Sequence, residues 1–398
     1  MEPDSLREFD VVVVGGGPAG LAAALAIAQT GVSTALIARR EPYADNRTTA
    51  LLGGSVAFLD SLGVWKRCEA QSSPLKAMRL VDDTARLIRA PEVRFDSTEL
   101  GFSQFGFNIA NRDLMRALED TAAASSSLVR IDSDADSIVT GDDRASLHLR
   151  NGESLTAALV VGADGRNSLC REAAGIAVSR SALPQSALTF NVAHSRPHDG
   201  ISTEFHTAQG PCVFVPLPGH RSSVVWVSSS SEAQRLKSLD DAALARAVEA
   251  QSHHILGKLT VSGERHLFPL AIERPASVAR NRVALVGEAA HVLPPIGAQG
   301  LNMGLRDSAD LARVVGSAWS AMEDFGAPQT LTRYVRLRTA DVVSRTFAID
   351  LANRSLLSDF LPIQAARAAG LHALAAIGPL RRLAMREGLA PSWRSHPS

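Results

Sequence analysis

Phe9–Val14 is an unbroken apolar run, and Gly15-Gly16-Gly17-Pro18-Ala19-Gly20 follows it at once. The run predicts a buried parallel strand. Leu21–Thr30, rich in alanine, predicts a helix ended by Gly31, and Ser33–Ala38 predicts a second strand. A strand–turn–helix–strand unit with G-x-G-x-x-G can fold in few ways, because each glycine answers a steric demand. Gly15 makes the tight turn, Gly17 lets a pyrophosphate approach the backbone, and Gly20 lets helix and strand pack closely. With Pro18 and Ala19 between them, these glycines are the first candidate cofactor-binding residues. The bare alternative is a structural turn, but the flanking strand and helix favour dinucleotide binding.

One expected residue is missing. The second strand of such a unit ends in an acid that holds a ribose, and here that position is Ala38, followed by Arg39, Arg40 and Glu41. Arg39 is a candidate for a cofactor phosphate, with a pair of solvated charges as the plain alternative. FAD and NADP both stay open on this unit alone.

Residues 282–312 predict a second such device. Val283–Val286 reads as a buried strand that meets Gly287-Glu288; a loop with Pro294, Pro295, Gly297 and Gly300 follows, and a helix begins near Gly300. A helix N-terminus favours an anionic ligand, and Glu288 offers an acceptor for ligand hydroxyls. A third strand tip, Leu159–Val161 before Gly162-Ala163-Asp164-Gly165, also ends in a carboxylate beside glycine. The polar stretch Asp45–Leu51 leads into a predicted helix, Ser55–Leu62, with Asn46 or Thr48 as its cap and Arg47 as a surface charge or ligand group. Asn111-Arg112 opens another helix, Leu114–Ala124. Arg112 suits the positive end of that helix poorly unless it serves a ligand.

Whole-chain properties exclude several classes. The 398 residues carry 41 basic and 41 acidic side chains, so no nucleic-acid partner is expected. Cys68, Cys170 and Cys212 are far apart, which fits a reduced compartment and no metal site. The N-terminal stretch has no apolar signal core, so export is not expected, and no run is long enough to span a membrane.

Three separated motifs carry a family resemblance: G-x-G-x-x-G near the start, Ala163-Asp164-Gly165 in the middle, and GEAAH…P-x-G-A-Q-G-x-N over 287–302. The chain resembles the group A FAD-dependent monooxygenases and, more narrowly, the ubiquinone-biosynthesis hydroxylases (the UbiH/UbiF-like family). Stretches 45–65, 105–118, 204–227 and the final arm from Asn353 extend the likeness over nearly the whole chain.

The resemblance implies an α/β fold, with a Rossmann-like FAD-binding domain of the p-hydroxybenzoate hydroxylase type. A β-sheet substrate domain interleaves with it, and a C-terminal helical arm follows. The expected boundaries are 1–74, 104–180 and 275–328 for the FAD-binding domain, 75–103 and 181–274 for the substrate domain, and 329–398 for the arm.

In such proteins the glycines, with Pro18 and Ala19, face the pyrophosphate, and Arg47, Thr48 and Arg112 lie by the phosphates and neighbouring groups. Glu288 faces the ribitol and pyrophosphate region, and Asp164, Gly165 and Gly287 join the cofactor-binding residues. Pro295, Gly297 and Gly300 form the loop at the reactive ring, joined by Gln299, Leu301 and Asn302. Two departures stand out: Ala38 replaces the ribose-binding acid, and Glu288 stands where aspartate is commoner.

Residues 186–230 and 255–272 predict strands: Ala187–Val192, Cys212–Pro216, Ser223–Val227, Leu259–Val261 and Leu267–Leu270. They contain no nucleophile–base or metal spacing. His206, His220, His253 and His254 read as surface or core histidines, and Trp226 and Phe214 as core aromatics. His291 reads as a hydrogen-bonded structural group rather than a proton shuttle.

Tyr334–Leu356 and Leu361–Leu389 predict helices with Arg367, Arg381, Arg382 and Arg386 among apolar residues. Such an arm docks on the core or lies on an anionic membrane. The function implied is hydroxylation of a polyprenylated phenol with FAD, NAD(P)H and O2, on the cytoplasmic side. Peripheral contact with the inner membrane, a ubiquinone-biosynthesis complex and a homo-oligomer all remain open. The rival readings are a flavin-dependent reductase or dehydrogenase of an isoprenoid, and a non-catalytic flavin-binding scaffold.

Overall fold

The computed structural model describes residues 7–40, 47–86, 89–295, 297–357 and 361–389. Asn46, one of the proposed helix caps, lies outside them. β1 (Arg7–Val14), α1 (Pro18–Ala28) and β2 (Thr34–Ile37) form the first unit, within a few residues of the expected bounds. Next come β3 (Thr48–Leu52), α2 (Gly53–Ser61), α3 (Trp65–Cys68) and β4 (Ser73–Leu75). β5 (Ala77–Asp82) and β6 (Val93–Asp96) leave for another sheet, and β7 (Gly106–Ala110) returns. α4 (Asn111–Ala124), β8 (Leu128–Ile131), the hairpin β9 (Ala135–Thr140) and β10 (Ala145–Leu149), β11 (Ser154–Gly162) and α5 (Leu169–Ala173) follow.

Then come β12 (Val178–His194), β13 (Ile201–Thr207), β14 (Gly210–Leu217) and β15 (Arg221–Ser229). The helices α6 (Ser230–Ser238) and α7 (Asp241–Gln251) lead to β16 (Leu259–Pro275). The chain ends with β17 (Ala279–Arg280), β18 (Val283–Leu285), α8 (Gln299–Ser320), α9 (Pro328–Leu357), α10 (Leu361–Ala376) and α11 (Gly378–Leu389).

Five strands in the order β18-β11-β1-β2-β8 run parallel. Val11, Val12 and Val13 are wholly buried, as a central parallel strand covered on both faces requires. The second sheet, in the order β16-β12-β15-β14-β13-β5-β6, has two different faces. Leu188, Phe190, Phe214, Val224 and Trp226 form one core with Leu244 and Val248 of α7, so Trp226 and Phe214 are core aromatics. The alternate residues point the other way, toward the first sheet and the C-terminal arm.

The expectation at Thr48 needs correction. Residues 48–52 do not cap a helix; they form β3, paired antiparallel with β7 in a three-stranded sheet completed by β4. The arm also differs in one respect from a basic membrane-facing surface. Arg367 is paired with the buried carboxylate of Asp82 at 2.8 Å, and Arg381 with Glu99 at 2.8 Å, so these two arginines hold the arm to β5 and to the turn after β6. No helix among the described residues is long and apolar enough to cross a membrane.

Candidate functional site

Three turns meet at one edge of the parallel strands. Val14, Gly162 and Leu285 are register partners at the C-terminal ends of β1, β11 and β18. The turns Gly15–Gly20, Ala163–Gly165 and Gly287–Glu288 therefore stand side by side, although they come from the start, middle and end of the chain. Ala163 N–H donates to Val14 O at 2.8 Å, and Val286 N–H to Gly162 O at 2.9 Å.

The glycines divide as the fingerprint requires. A methyl group at Gly15, where φ is +113°, would lie 2.3 Å from Ala163 O, and one at Gly20 would lie 2.1 Å from Gly15 O. Nothing lies within 4 Å of the methyl position of Gly17. α1 starts on Gly17 with Pro18 at its head and no side-chain cap, so its positive end is left to a ligand.

The second turn is built from within. Asp164 accepts from Ser168 Oγ at 2.6 Å and from Cys170 N–H at 3.0 Å, so its carboxylate shapes the turn rather than standing free. Gly165 takes φ +79°. Buried Arg171 donates to Ala289 O and Arg166 O, fastening this turn to the third. No motif pointed to Arg171, because its acceptors are backbone carbonyls.

In the third turn Gly287 takes φ +62° and donates its N–H to Asp307 Oδ2 at 3.0 Å. Gly287 and Gly304 leave room for Ala19, and Ser308 Oγ donates to Ala19 O at 2.9 Å, so α1 and α8 meet closely beneath the edge. Glu288 is exposed beside them.

The following loop has buried Pro294, exposed Pro295 and two left-handed residues, Gly297 (φ +64°) and Ala298 (φ 54°, ψ 31°). A left-handed alanine costs about 1–2 kcal/mol; here Asn302 Nδ2 donates to Ala298 O at 2.6 Å and holds it. α8 begins at Gln299, with no side-chain cap and no acidic residue in its first turn. Gly300 has open space around its methyl position, and Leu301 packs partly into the core.

Two candidates in this loop have other tasks. Asn302 is fully buried: its Nδ2 also donates to Ala50 O at 2.7 Å, and its Oδ1 accepts from Leu52 N–H at 2.9 Å. Its carboxamide therefore clamps β3 to α8 instead of facing a ligand. Gln299 accepts from Arg345 of α9 at 2.9 Å and donates to Gly297 O at 3.0 Å.

His291 is buried and bonded to Asp307 Oδ2 at 2.7 Å. Arg338 donates to the other oxygen of Asp307 at 2.6 Å. Burial pushes the Asp307 carboxyl up, but Arg338 and His291 outweigh it and hold the group below the usual carboxylate range. His291 is thus a structural partner. The other histidines are engaged as well: His206 with Glu204, His253 with Asp83, His254 with Glu249, and His220 stacked on His194.

Arg39 stays at the end of β2 in the first sheet, and the other candidates lie where the second sheet approaches. Arg39 pairs with Asp134 at 2.9 Å. Arg47 lies 4.9 Å over the ring of Phe268, and Thr48 Oγ1 donates to Ser223 Oγ at 2.7 Å. Arg112 heads α4 and, with Thr48, Asn191 and Arg221, lines a groove of about 280 Å³. Ser223, Asn191, Arg221 and Phe268 had no motif to mark them; only folding brings their strands to this edge. No grouping able to hold a metal ion occurs among the described residues.

An extended dinucleotide fits this edge. Gly17 leaves room against the backbone, two uncapped helix starts supply positive potential, and Arg47 and Arg112 stand nearby. The family model of the FAD binding domain matches residues 8–343. Ubiquinone hydroxylase UbiL of Rhodospirillum rubrum is 32% identical over 394 residues, covering 96% of this chain and 89% of that protein. The 3-demethoxyubiquinol 3-hydroxylase of Escherichia coli is 31% identical over 391 residues, covering 96% and 98%. The crystal structure of p-nitrophenol 4-monooxygenase PnpA from Pseudomonas putida superposes with a TM-score of 0.79 at 20% identity, covering 96% and 99%. At that identity it speaks for the fold.

Proposed function

The chain belongs to the FAD-binding group A monooxygenases, in the family of the ubiquinone-biosynthesis hydroxylases, and on that premise we propose that it hydroxylates a polyprenylated phenol on the route to ubiquinone. NAD(P)H and O2 are the co-substrates. The observation that carries this reading is the meeting of three turns at one sheet edge, with the second sheet joined beside it through Glu273 of β16, which bridges to Val292 and pairs with Arg166. Bound FAD supplies the redox chemistry and oxygen activation.

The chain's own residues bind, orient and exclude water. In this reading Gly15 and Gly20 shape the turn, Gly17 gives the pyrophosphate access to backbone, and Arg47 and Arg112 balance its charge. Pro295, Gly297 and Gly300 shape the wall beside the reactive ring. The start of α8 favours negative charge at the ring edge facing it. The seven-stranded sheet supplies the substrate side, and its residues Thr189, Asn191 and Ser223 alternate with the core positions.

One further feature belongs to the proposal. Polyprenyl chemistry calls for access to lipid, and Phe347, Leu351, Leu361, Ile363, Ile377 and Leu383 are exposed on α9–α11. Peripheral membrane contact through this arm follows.

The test is the visible spectrum of purified protein, followed anaerobically as NADPH or NADH is added with and without a polyprenylphenol. Oxygen is then admitted and the product weighed. Flavin that bleaches faster with the phenol, and a product one oxygen heavier, are expected. Reduction without oxygen insertion would make the protein a reductase or dehydrogenase. Flavin that neither nicotinamide reduces would make it a scaffold.

A further inference from the structure

We propose that Glu119 takes the place of the missing acid at the end of β2 and accepts from the adenosine ribose of FAD, with Arg130 positioning it. The inference rests on the FAD reading. In a G-x-G-x-x-G unit the carboxylate after the second strand receives the ribose 2′-hydroxyl. Ala38 occupies that place and is nearly buried. A methyl group at Gly16 would come within 2.7 Å of Ala38 Cβ, so the glycine turn itself fills this side of residue 38.

The polar groups around the β2 end are supplied by its neighbours. Arg130 lies on β8 as the register partner of Leu36. Its Nη2 donates to Ala38 O and to Arg39 O, each at 3.3 Å, and lies 4.0 Å from the methyl position of Gly16. Its Nη1 donates to Glu119 of α4. The cation is inside and the acid outside: the Arg130 side chain is 10% exposed and that of Glu119 32%. One guanidinium thus spans from the end of β2 to a solvent-facing carboxylate.

Among the described residues, two other acids near this end also have partners. Asp134 pairs with Arg39 at 2.9 Å, and Asp132 Oδ1 accepts from Arg40 N–H at 3.0 Å. Glu119 uses one oxygen on Arg130, which leaves the second with acceptor capacity. A hydroxyl bonded to an ionised carboxylate is among the stronger neutral-to-charged contacts, so its loss is measurable.

The experiment measures binding to apoprotein by flavin fluorescence, using FAD and an FAD analogue whose adenosine lacks the 2′-hydroxyl. Wild type, Glu119→Gln and Arg130→Met are compared, with near-UV circular dichroism to confirm folding. Wild type is expected to bind the analogue about tenfold more weakly than FAD, and Glu119→Gln to bind FAD about tenfold more weakly, a loss of one hydrogen bond to a charged group. Glu119→Gln is expected to distinguish FAD from the analogue less than wild type does, because a neutral amide oxygen replaces the carboxylate as acceptor. Arg130→Met is expected to follow it.

Glu119→Gln binding FAD like wild type would overturn the proposal. So would a loss that leaves the full preference for FAD over the analogue, which would mark Glu119 as structural only. Wild type that binds neither flavin would instead defeat the FAD reading on which the inference stands.

Discussion

Gly17 and Gly20 stand three residues apart in one turn, and the same substitution has different consequences at each. A methyl at Gly20 meets Gly15 O at 2.1 Å and Ala163 Cβ at 2.9 Å, groups that belong to backbone and core and cannot swing away. Gly20→Ala therefore costs about 1–3 kcal/mol in overpacking, seen as a lower Tm even without flavin. A methyl at Gly17 meets nothing within 4 Å. Gly17→Ala is expected to leave the apoprotein Tm unchanged and to weaken FAD binding, since the methyl fills space meant for the ligand. Equal Tm losses in both variants would contradict this division. The steric demands on Gly15 and Gly20 were legible in the sequence because a strand–turn–helix motif imposes them locally, although Ala163 from the middle of the chain also closes on both. Asn302 was not: its three bonds run to Ala50, Leu52 and Ala298, and a motif cannot tell a carboxamide facing a ligand from one holding a strand.

At the scale of elements, α8 and α9 are joined by charges that the sequence had spread along helical faces. Arg338 is wholly buried and donates to Asp307, Asp310 and Asp341. Asp341 also accepts from Arg306 and Arg345, and Arg345 reaches Gln299 and Gly388 O. The network therefore runs from the start of α8 through α9 to α11. Helical spacing predicted the helices, but it could not pair their arginines with particular acids. β3 was missed for a related reason: its partner β7 arrives only after two α-helices and three other strands.

The network makes stability depend on pH. Burial opposes the charged forms of Asp307 and Asp341, but the arginines beside them, with His291 at Asp307, hold both folded carboxyls below their usual range. Stability from these groups is thus fully present above the unfolded carboxylate value of about 4, and it is lost as pH falls through the lower folded values. Asp307→Asn leaves Arg338 and His291 short of a partner and is expected to cost about 3–5 kcal/mol. Between pH 7 and pH 3 its Tm should fall less steeply than that of wild type. Parallel Tm curves would show that Asp307 does not carry the acid limb.

For the whole molecule, the arm decides which surface remains for a lipid. Arg367 and Arg381 fasten α10 and α11 to Asp82 and Glu99, and the apolar side chains of α9–α11 are left outward. Phe347 and Leu351, 67% and 56% exposed, lie one helical turn apart on α9. Attachment to vesicles then depends on apolar insertion more than on these two arginines. Phe347→Ser with Leu351→Ser is expected to lower co-flotation with anionic phospholipid vesicles about tenfold or more, given roughly 1.5–3 kcal/mol for each large apolar side chain buried. Arg381→Gln is expected to leave flotation unchanged while making the arm easier to cleave in limited proteolysis. If Arg381→Gln abolished flotation and the apolar pair did not, the arginine would have to leave Glu99 for the lipid, and the docked arm would not be the membrane-bound form.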